Sequence, residues 1–207
     1  MKEIVPGVFT WPWFSERHGY DFNGHLVLHA TGNLCIDPVE MSDEVLEEIA
    51  ALGVSRVLLT NRNHGRASAK VRSRTGAEVS IHPADAEYAR RAGSVIDEDL
   101  AIGERIGRFV VVAAGGKSPG EVALHWPERR ILIVGDACVG KPPGACALLP
   151  ESVMDDPTRL RASLRRIVAE IDFDVLLVGD GTPILADGRR ALEALVAGFA
   201  SEPSGGA

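Results

Sequence analysis

Apolar and polar residues along this chain fall into blocks that predict strands and helices in turn. The block His25–Val39 has two apolar runs around a Thr-Gly-Asn sequence, which predicts a β-hairpin turning at Ala30–Asn33. The next block predicts a helix, with Ser42 as its N-cap and Gly53 as its stop. Its apolar residues share one helical face: Val45, Leu46, Ile49 and Leu52.

The rest of the chain continues this alternation. Apolar runs predict strands at 54–60, 77–83, 108–116, 121–136 (a hairpin turning near Pro127–Arg129) and 175–180. Helical patterns lie at 67–76, 84–93, about Thr158–Glu170 and Arg189–Phe199. Helices interleaved with nearly continuous apolar strands predict one layered α/β domain over residues 1–200. The tail 201–207, rich in Ser, Pro and Gly, is expected to be disordered.

Composition excludes several classes of protein. The 207 residues fit one domain with a core of its own, and 45% hydrophobic with 25% charged residues is typical of a soluble globular protein. No apolar run approaches the roughly 20 residues of a membrane span, so no membrane partner is expected. Pro6 and Pro12 interrupt the N-terminus, which does not resemble a signal peptide, so we expect a cytoplasmic protein.

Charge and cysteine content narrow the partners further. A formal net charge of -7 argues against a nucleic-acid partner, because phosphate binding needs a basic surface. The three cysteines, Cys35, Cys138 and Cys146, are odd in number and scattered. That spacing argues against a disulfide framework and against a CxxC zinc site.

Four loops combine glycine with polar or charged residues where predicted strands end. They lie at 61–66 (NRNHGR), 115–120 (GGKSPG), 135–140 (GDACVG) and 179–183 (GDGTP). In α/β folds the loops at the carboxyl ends of strands carry the functional groups. We therefore expect these four loops to form one site.

Together with the hairpin, these loops resemble the motifs of the metallo-β-lactamase superfamily, which includes glyoxalase II-type thioesterases and many hydrolases. The family order is a hairpin ending in an IDP-like segment, then T-H-x-H-x-D-H, H-[ST]-P-G, G-D and G-H-G. Here the same order reads LCIDPV, TNRNHGR, KSPGEVAL, VGDACVG and VGDGTP. The resemblance covers nearly the whole chain and implies a four-layer αββα sandwich.

The resemblance also implies seven positions for the ligands of two zinc ions. In chain order these positions hold Asn61, Asn63, Gly65, Arg66, Lys117, Asp136 and Asp180. Only Asp136 matches the family residue. A carboxamide is a poor zinc donor, guanidinium cannot donate a lone pair, and an ammonium group must first lose its proton. We therefore expect no dinuclear zinc centre, no resident metal and no cofactor.

One interpretation is that side-chain cations replace the two metals. If the four loops meet, Arg66 and Lys117 face Asp136 and Asp180 and allow both carboxylates to stay ionised. The former active site would then be a salt-bridged plug.

A second interpretation uses the same pocket to bind a small anionic ligand. The loop at 61–66 opens a helix, whose free N–H groups favour an anion, and two cationic side chains add donors. The residues of this predicted ligand pocket are Asn61, Asn63, Arg66, Lys117, Asp136 and Asp180.

A third interpretation is a hydrolase of an ester, thioester or lactam. Its catalytic residues would be His64 and Asp136, either with His64 as general base or with His64, Asp136 and Asp180 as a reduced metal site. His64 lies one residue beyond the second expected ligand position, and the simpler expectation for it is a solvent-facing loop histidine.

Other side chains have both a structural and a functional interpretation. Cys138 and Cys146 could supply a nucleophile, but buried inert thiols are expected. His25 and His29 are expected to be an ordinary pair on a strand surface. The aromatic cluster Trp11, Trp13 and Phe14 is expected in the core, with a lid over the hairpin or the lining of a ligand cleft as alternatives.

Overall fold

The computed structural model describes residues 1–199 of the chain. The predicted disordered tail at 201–207 lies outside the described residues. Within them, no helix is long and apolar enough to cross a membrane.

One sheet contains the first seven strands in chain order. They are β1 (Lys2–Val5), β2 (Val8–Ser15), β3 (Tyr20–Val27), β4 (Leu34–Ile36), β5 (Arg56–Leu59), β6 (Glu78–Ile81) and β7 (Glu98–Asp99). Pairing is antiparallel from β1 to β4 and parallel from β4 to β7. The predicted hairpin at 25–39 is confirmed as the end of β3 with β4.

The other sheet contains five strands. They are β8 (Arg105–Ile106), β9 (Phe109–Ala113), β10 (Val122–Trp126), β11 (Ile131–Ile133) and β12 (Val175–Leu177), in the spatial order β12-β11-β10-β9-β8. Only β11 and β12 pair in parallel. The predicted hairpin at 121–136 is confirmed, and its turn is a single 3-10 turn at Pro127–Arg129.

Within residues 1–199, five α-helices cover the outer faces of the sheets. They are α1 (Asp43–Leu52), α2 (Ser68–Thr75), α3 (Pro83–Arg91), α4 (Pro157–Glu170) and α5 (Gly188–Gly198), with a further 3-10 turn at Glu151–Val153. The predicted cap of α1 is present, because the Ser42 hydroxyl accepts a hydrogen bond from the Val45 N–H. Gly53 ends this helix at φ 77°, a backbone conformation that glycine adopts at little cost.

Three hydrophobic clusters join these elements into four layers. Along β5, Val57 and Leu59 face α1–α3 while Leu58 faces the opposite sheet, as the two-residue period of a strand requires. Along β11, Ile131 and Ile133 point between the sheets and Leu132 points toward α4 and α5. Helices, two sheets and helices therefore stack as the predicted αββα sandwich.

The aromatic N-terminus divides between core and surface. Trp11 lies on β2, is 3% exposed and donates its indole N–H to the Val39 carbonyl. Trp13 and Phe14 are exposed on the same strand, so the core prediction is right for one of the three residues. The hydrophobic pattern did not predict β1 or β2.

Candidate functional site

A carboxylate at the end of β4 fixes the start of the loop after β5. Asp37 has φ 49°, a left-handed conformation that Asp tolerates better than most residues. Its carboxylate accepts hydrogen bonds from the Thr60 backbone N–H at 2.8 Å and from the Thr60 hydroxyl at 2.6 Å. The two neighbouring strand ends are thereby joined at the point where the 61–66 loop begins.

His64 is buried between two aspartates. It is 1% exposed; its Nδ1 lies 3.0 Å from Asp37 Oδ2 and its Nε2 lies 2.9 Å from Asp136 Oδ1. Burial alone would lower the pKa of the imidazole, but the charges of Asp136 and Asp37 and the hydrogen bonds to both outweigh it and raise the pKa to about 10. His64 is therefore an imidazolium at neutral pH, with both N–H groups engaged.

Lys117 supplies a second cation to the same aspartate. Its Nζ lies 2.7 Å from Asp136 Oδ2 and donates a 2.7 Å hydrogen bond to Asn63 Oδ1. Burial disfavours the charged Asp136 carboxylate, yet the neighbouring charges of His64 and Lys117 hold its pKa well below the usual range. Each oxygen of Asp136 thus faces one side-chain cation.

A further carboxyl group, Glu121, lies beneath this network. Its Oε1 accepts hydrogen bonds from Asn61 Nδ2 at 3.3 Å and from the Asp136 backbone N–H at 3.1 Å. Burial, followed by the nearby charge of Asp136, raises the pKa of Glu121 to about 8. Glu121 is therefore largely a neutral acid at pH 7, which limits the negative charge below the cleft.

Two glycines allow the loops after β11 and β12 to close on His64. Gly135 has φ 55°, and a Cβ there would lie 2.3 Å from the Thr60 hydroxyl oxygen. At Gly179 a Cβ would lie 2.9 Å from His64 Cε1. These glycines precede Asp136 and Asp180, so each GD sequence marks a close approach that excludes a larger residue, of Gly135 to Thr60 and of Gly179 to His64.

Asp180 lies at the side of the cleft without a salt bridge. It is 4% exposed, and burial, then the charge of Asp136, raises its pKa to about 7. Its Oδ1 is shielded from solvent and has no hydrogen-bond partner among residues 1–199. Asp180 and Asp136, both predicted to be paired, are therefore in different electrostatic states.

Arg66 points elsewhere than predicted. Its guanidinium lies over the Phe22 ring, 4.0 Å from the ring centroid, a cation–π arrangement. In the described chain, no carboxylate oxygen lies within 4 Å of this guanidinium and it donates no hydrogen bond. The expected ion pairs of Arg66 with Asp136 or Asp180 are absent, and His64 occupies the place predicted for Arg66 beside Asp136.

An open cavity of about 630 Å³ lies above this network. Its charged lining consists of Arg17, Arg66, Lys117, Asp136 and Asp180, with His18 beside them. Its less polar lining comes from two segments of the chain, Tyr20 with Phe22, and Leu149, Pro150 and Val153. Five of the six predicted pocket residues line it, whereas Asn61 is fully buried below.

The residues present do not fit the dinuclear metal site implied by the resemblance. Asn61 and Asn63 use their carboxamides to hold Glu121 and Lys117, and the donor atoms of His64 and Asp136 are bonded to each other. Gly65, at the position of the family aspartate, could not be a larger residue here, because a Cβ on it would lie 1.9 Å from Ser94 Oγ. Across residues 1–199, no three His, Cys, Asp or Glu side chains are grouped so as to hold a metal ion.

Several other expectations for single residues are corrected. His64 is not a solvent-facing loop histidine, and its raised pKa leaves no lone pair for a general base at neutral pH. His25 is fully buried rather than on a strand surface, and burial lowers its pKa to about 4. Cys138 is buried as expected, whereas Cys146 is half-buried and lines a different cavity, so neither thiol faces the cleft.

Sequence reasoning missed Asp37 and Glu121 as members of the site. Asp37 belongs to the IDP segment. A carboxylate directly after a buried strand indicates a side chain that accepts hydrogen bonds from neighbouring loops. Glu121 is visible as a charged residue at the start of the apolar run VALHW. Burial of such a residue requires a partner or a shifted pKa.

Comparison with known proteins agrees with this architecture. Residues 1–199 match the sequence profile described as metallo-β-lactamase superfamily. A di-iron-bound form of the protein TTHA1623 has a TM-score of 0.67 and 26% identity over 87% of this chain and 96% of that one. A metallo-β-lactamase from Pontibacter korlensis has a TM-score of 0.79 at 17% identity, over 97% of this chain and 98% of its own. TTHA1429 from Thermus thermophilus has a TM-score of 0.70 at 21% identity, over 96% and 81% of the two chains. Among curated proteins, none matches.

Proposed function

The chain belongs to the metallo-β-lactamase superfamily, and we propose that within this fold it is a metal-free protein that binds a small organic anion in the cleft. One observation carries the proposal. The two oxygens of Asp136 face His64 at 2.9 Å and Lys117 at 2.7 Å, so two side-chain cations stand where the family pattern implies two metals.

The charges on the floor of the cleft explain why an anion is favoured. His64 and Lys117 are positive, and Asp37 and Asp136 balance them. Glu121 and Asp180, whose pKa values are raised to about 8 and about 7, add only part of their formal charge at pH 7. Arg66 lines the same cleft and has no carboxylate partner within salt-bridge distance among the described residues. A ligand carboxylate or phosphate would supply that partner.

Hydrolysis is the alternative, and the geometry supports it less well. A metal-assisted reaction needs an ion to lower the pKa of water and to polarise a carbonyl group, but the donors here are bonded to one another. A metal-free reaction needs a base, and His64 is already protonated and bonded at both nitrogens. Bound iron is a property of the similar protein TTHA1623, whereas the ligand positions of this chain differ from the family pattern.

Ligand screening with two matched arginine variants tests the proposal. Small carboxylates and phosphates are screened by thermal shift and then titrated by calorimetry against the wild type, Arg66→Gln and Arg62→Gln. Arg62 belongs to the same loop, but it pairs with Asp155 and does not line the cleft. An anion present at about 100 times its Kd stabilises the folded state by about 2.7 kcal/mol.

We expect this stabilisation in the wild type and in Arg62→Gln, and its loss in Arg66→Gln. If no anion in the panel binds, the proposal fails and a filled, inactive former active site is the better account. Equal binding by all three proteins would mean that the anion binds outside the cleft.

A further inference from the structure

The hydrogen-bonding groups left unused in the cleft limit the kind of anion that fits, an argument that rests on the proposed function. Lys117 has three N–H donors and uses two, one to Asn63 and one to Asp136. Arg66 has five N–H donors and uses none within residues 1–199. The cationic side of the cleft therefore needs an acceptor with two oxygens, as a carboxylate provides.

Asp180 has the opposite requirement. The Tyr20 hydroxyl group is hydrogen-bonded to this carboxyl group. Its Oδ1, however, has no donor among the described residues, and neither Arg66 nor Lys117 lies within salt-bridge distance. Rotation about the terminal torsion of an aspartate is broad and roughly two-fold, so either oxygen can turn toward the cavity. A buried carboxyl oxygen without a partner is costly, and a ligand hydroxyl or ammonium group would satisfy it.

Neighbouring charges distinguish these two donors. Three cations, Arg66, Lys117 and the imidazolium of His64, act electrostatically on Asp180 against one carboxylate, Asp136, whose effect exceeds that of any single cation. A ligand ammonium group at Asp180 would be repelled by the same three cations, whereas a neutral hydroxyl group would not. Because Asp180 lines the same cavity as Arg66 and Lys117, one ligand can carry both the carboxylate and the hydroxyl group.

The walls of the cavity determine the remainder of the ligand. Tyr20 and Phe22 contact each other, with ring centroids 5.9 Å apart, and line one side. Leu149, Pro150 and Val153 line the other side, and Val153 is 52% exposed. An apolar body, aromatic or aliphatic, can lie between these walls in a cavity of about 630 Å³.

We infer that the cleft recognises an organic carboxylate with an adjacent hydroxyl group and an apolar body. The carboxylate binds Arg66 and the free donor of Lys117, the hydroxyl group donates to Asp180, and the apolar body lies between the two walls. Asp180 is thus the residue that determines specificity, while Arg66 supplies most of the affinity for the anion.

Three matched acids test this inference: 3-phenylpropanoate, its 2-hydroxy derivative and its 2-amino derivative, phenylalanine. Both enantiomers of the substituted acids are titrated by calorimetry into the full-length protein at pH 7. We expect one enantiomer of the hydroxy acid to bind about tenfold more tightly than 3-phenylpropanoate, the effect of one hydrogen bond to a charged or buried group. Phenylalanine is expected to bind more weakly than the hydroxy acid.

The variant Asp180→Ala shows whether Asp180 causes that preference. In this variant we expect the two acids without an amino group to bind within about threefold of each other, while 3-phenylpropanoate binds at least as tightly as to the wild type, because a partly ionised carboxylate has been removed. Asp180→Asn, which keeps an acceptor oxygen, should retain part of the preference. Asp21→Ala removes a nearby carboxylate outside this cavity and should behave as wild type.

Different results overturn the two proposals separately. If the acids bind but the hydroxyl group gives no advantage, or if its advantage persists in Asp180→Ala, this inference is wrong and anion binding stands. Tighter binding of phenylalanine also overturns it, since the donor would then be ammonium. If none of the three acids binds while another anion does, the hydroxy-acid inference is wrong and anion binding stands. Failure of every anion overturns the proposed function itself.

Discussion

The floor and the mouth of the cleft lie side by side but differ in how their charges are satisfied. On the floor, His64, Asp136 and Lys117 form a chain of ion pairs with N···O distances of 2.7 to 2.9 Å. At the mouth, Arg66 stacks on Phe22 without a carboxylate partner among the described residues, and Asp180 has an oxygen without a donor there. Glu121 Oε2, beneath the floor, also lacks a hydrogen-bond partner among the described residues, but Glu121 does not line the cavity.

We expect the two regions to have different roles. On the floor, His64 and Lys117 pair with Asp136, and we expect this region to contribute to stability. The unused donors and acceptors belong to Arg66 and Asp180, which line the same cavity. The predictions below test whether the two regions differ in stability, in their response to pH and in ligand binding.

The largest expected effect is the loss of stability when the floor loses its central cation. His64→Ala leaves Asp37 and Asp136 without their shared partner, and breaking a buried ion pair in this way costs about 3 to 5 kcal/mol. As a control, Lys70→Ala removes the exposed ion pair with Glu40 and should cost about 1 kcal/mol or less. Urea unfolding of both variants and the wild type provides the measurement. If His64→Ala lowers the free energy of unfolding no more than Lys70→Ala does, the ion pairs on the floor are accessible to solvent and do not stabilise the fold.

Stability should also fall as the pH rises above neutral. The folded-state pKa of His64, about 10, exceeds its unfolded value of about 6.5, so its proton stabilises the fold fully below about 6.5, and this contribution is lost as the pH rises toward 10. The raised pKa of Glu121, about 8, acts in the same direction over part of this range. Urea unfolding at pH 7.0, 7.75 and 8.5 should therefore give decreasing free energies of unfolding. A constant or increasing value would contradict a protonated His64.

At the mouth, the expected pH effect is on binding and is smaller. The pKa of Asp180 is raised to about 7, so this residue gains negative charge as the pH rises from 6 to 8. An anion held by Arg66 should then bind several-fold more weakly at pH 8 than at pH 6, a change of about 1 kcal/mol. Asp180→Asn should remove most of this dependence, whereas Glu121→Gln should retain it. A wild-type affinity that is the same at both pH values would show that Asp180 does not face the ligand.

The fold was largely predictable from the sequence because its periodic signals are local. Helix α1 has its cap, stop and apolar face within twelve residues, and β5 and β11 read as short apolar runs. Strands β1 and β2 were missed because Pro6, Pro12 and several aromatic residues obscure the alternation. β2 pairs with β3, and β1 pairs with β2, so their positions depend on neighbouring strands and not on a clear pattern of their own.

The site was only partly predictable because its contacts join distant loops. Matching the sequence to the family motifs identified Asn61, Lys117 and Asp136 as site residues. The expected ion pair of Lys117 with Asp136 is present. The same matching assigned the second cation to Arg66, since that position corresponds to a ligand, whereas His64 occupies no ligand position. The choice between them depends on Gly179, which leaves room for the imidazole, and on Asp37, which comes from another strand end. Neither contact is visible in local sequence.

The central claim is that His64 and Lys117 have replaced the two metals, and metal content tests it most directly. Protein produced without a metal-affinity tag and purified without chelators is analysed for zinc, iron and manganese, and its melting temperature is compared before and after treatment with a chelator. Because a bound structural metal contributes directly to folding stability, the account predicts well under one equivalent of metal per chain and no change in melting temperature. Two tightly bound metals per chain, with destabilisation on chelation, would contradict it.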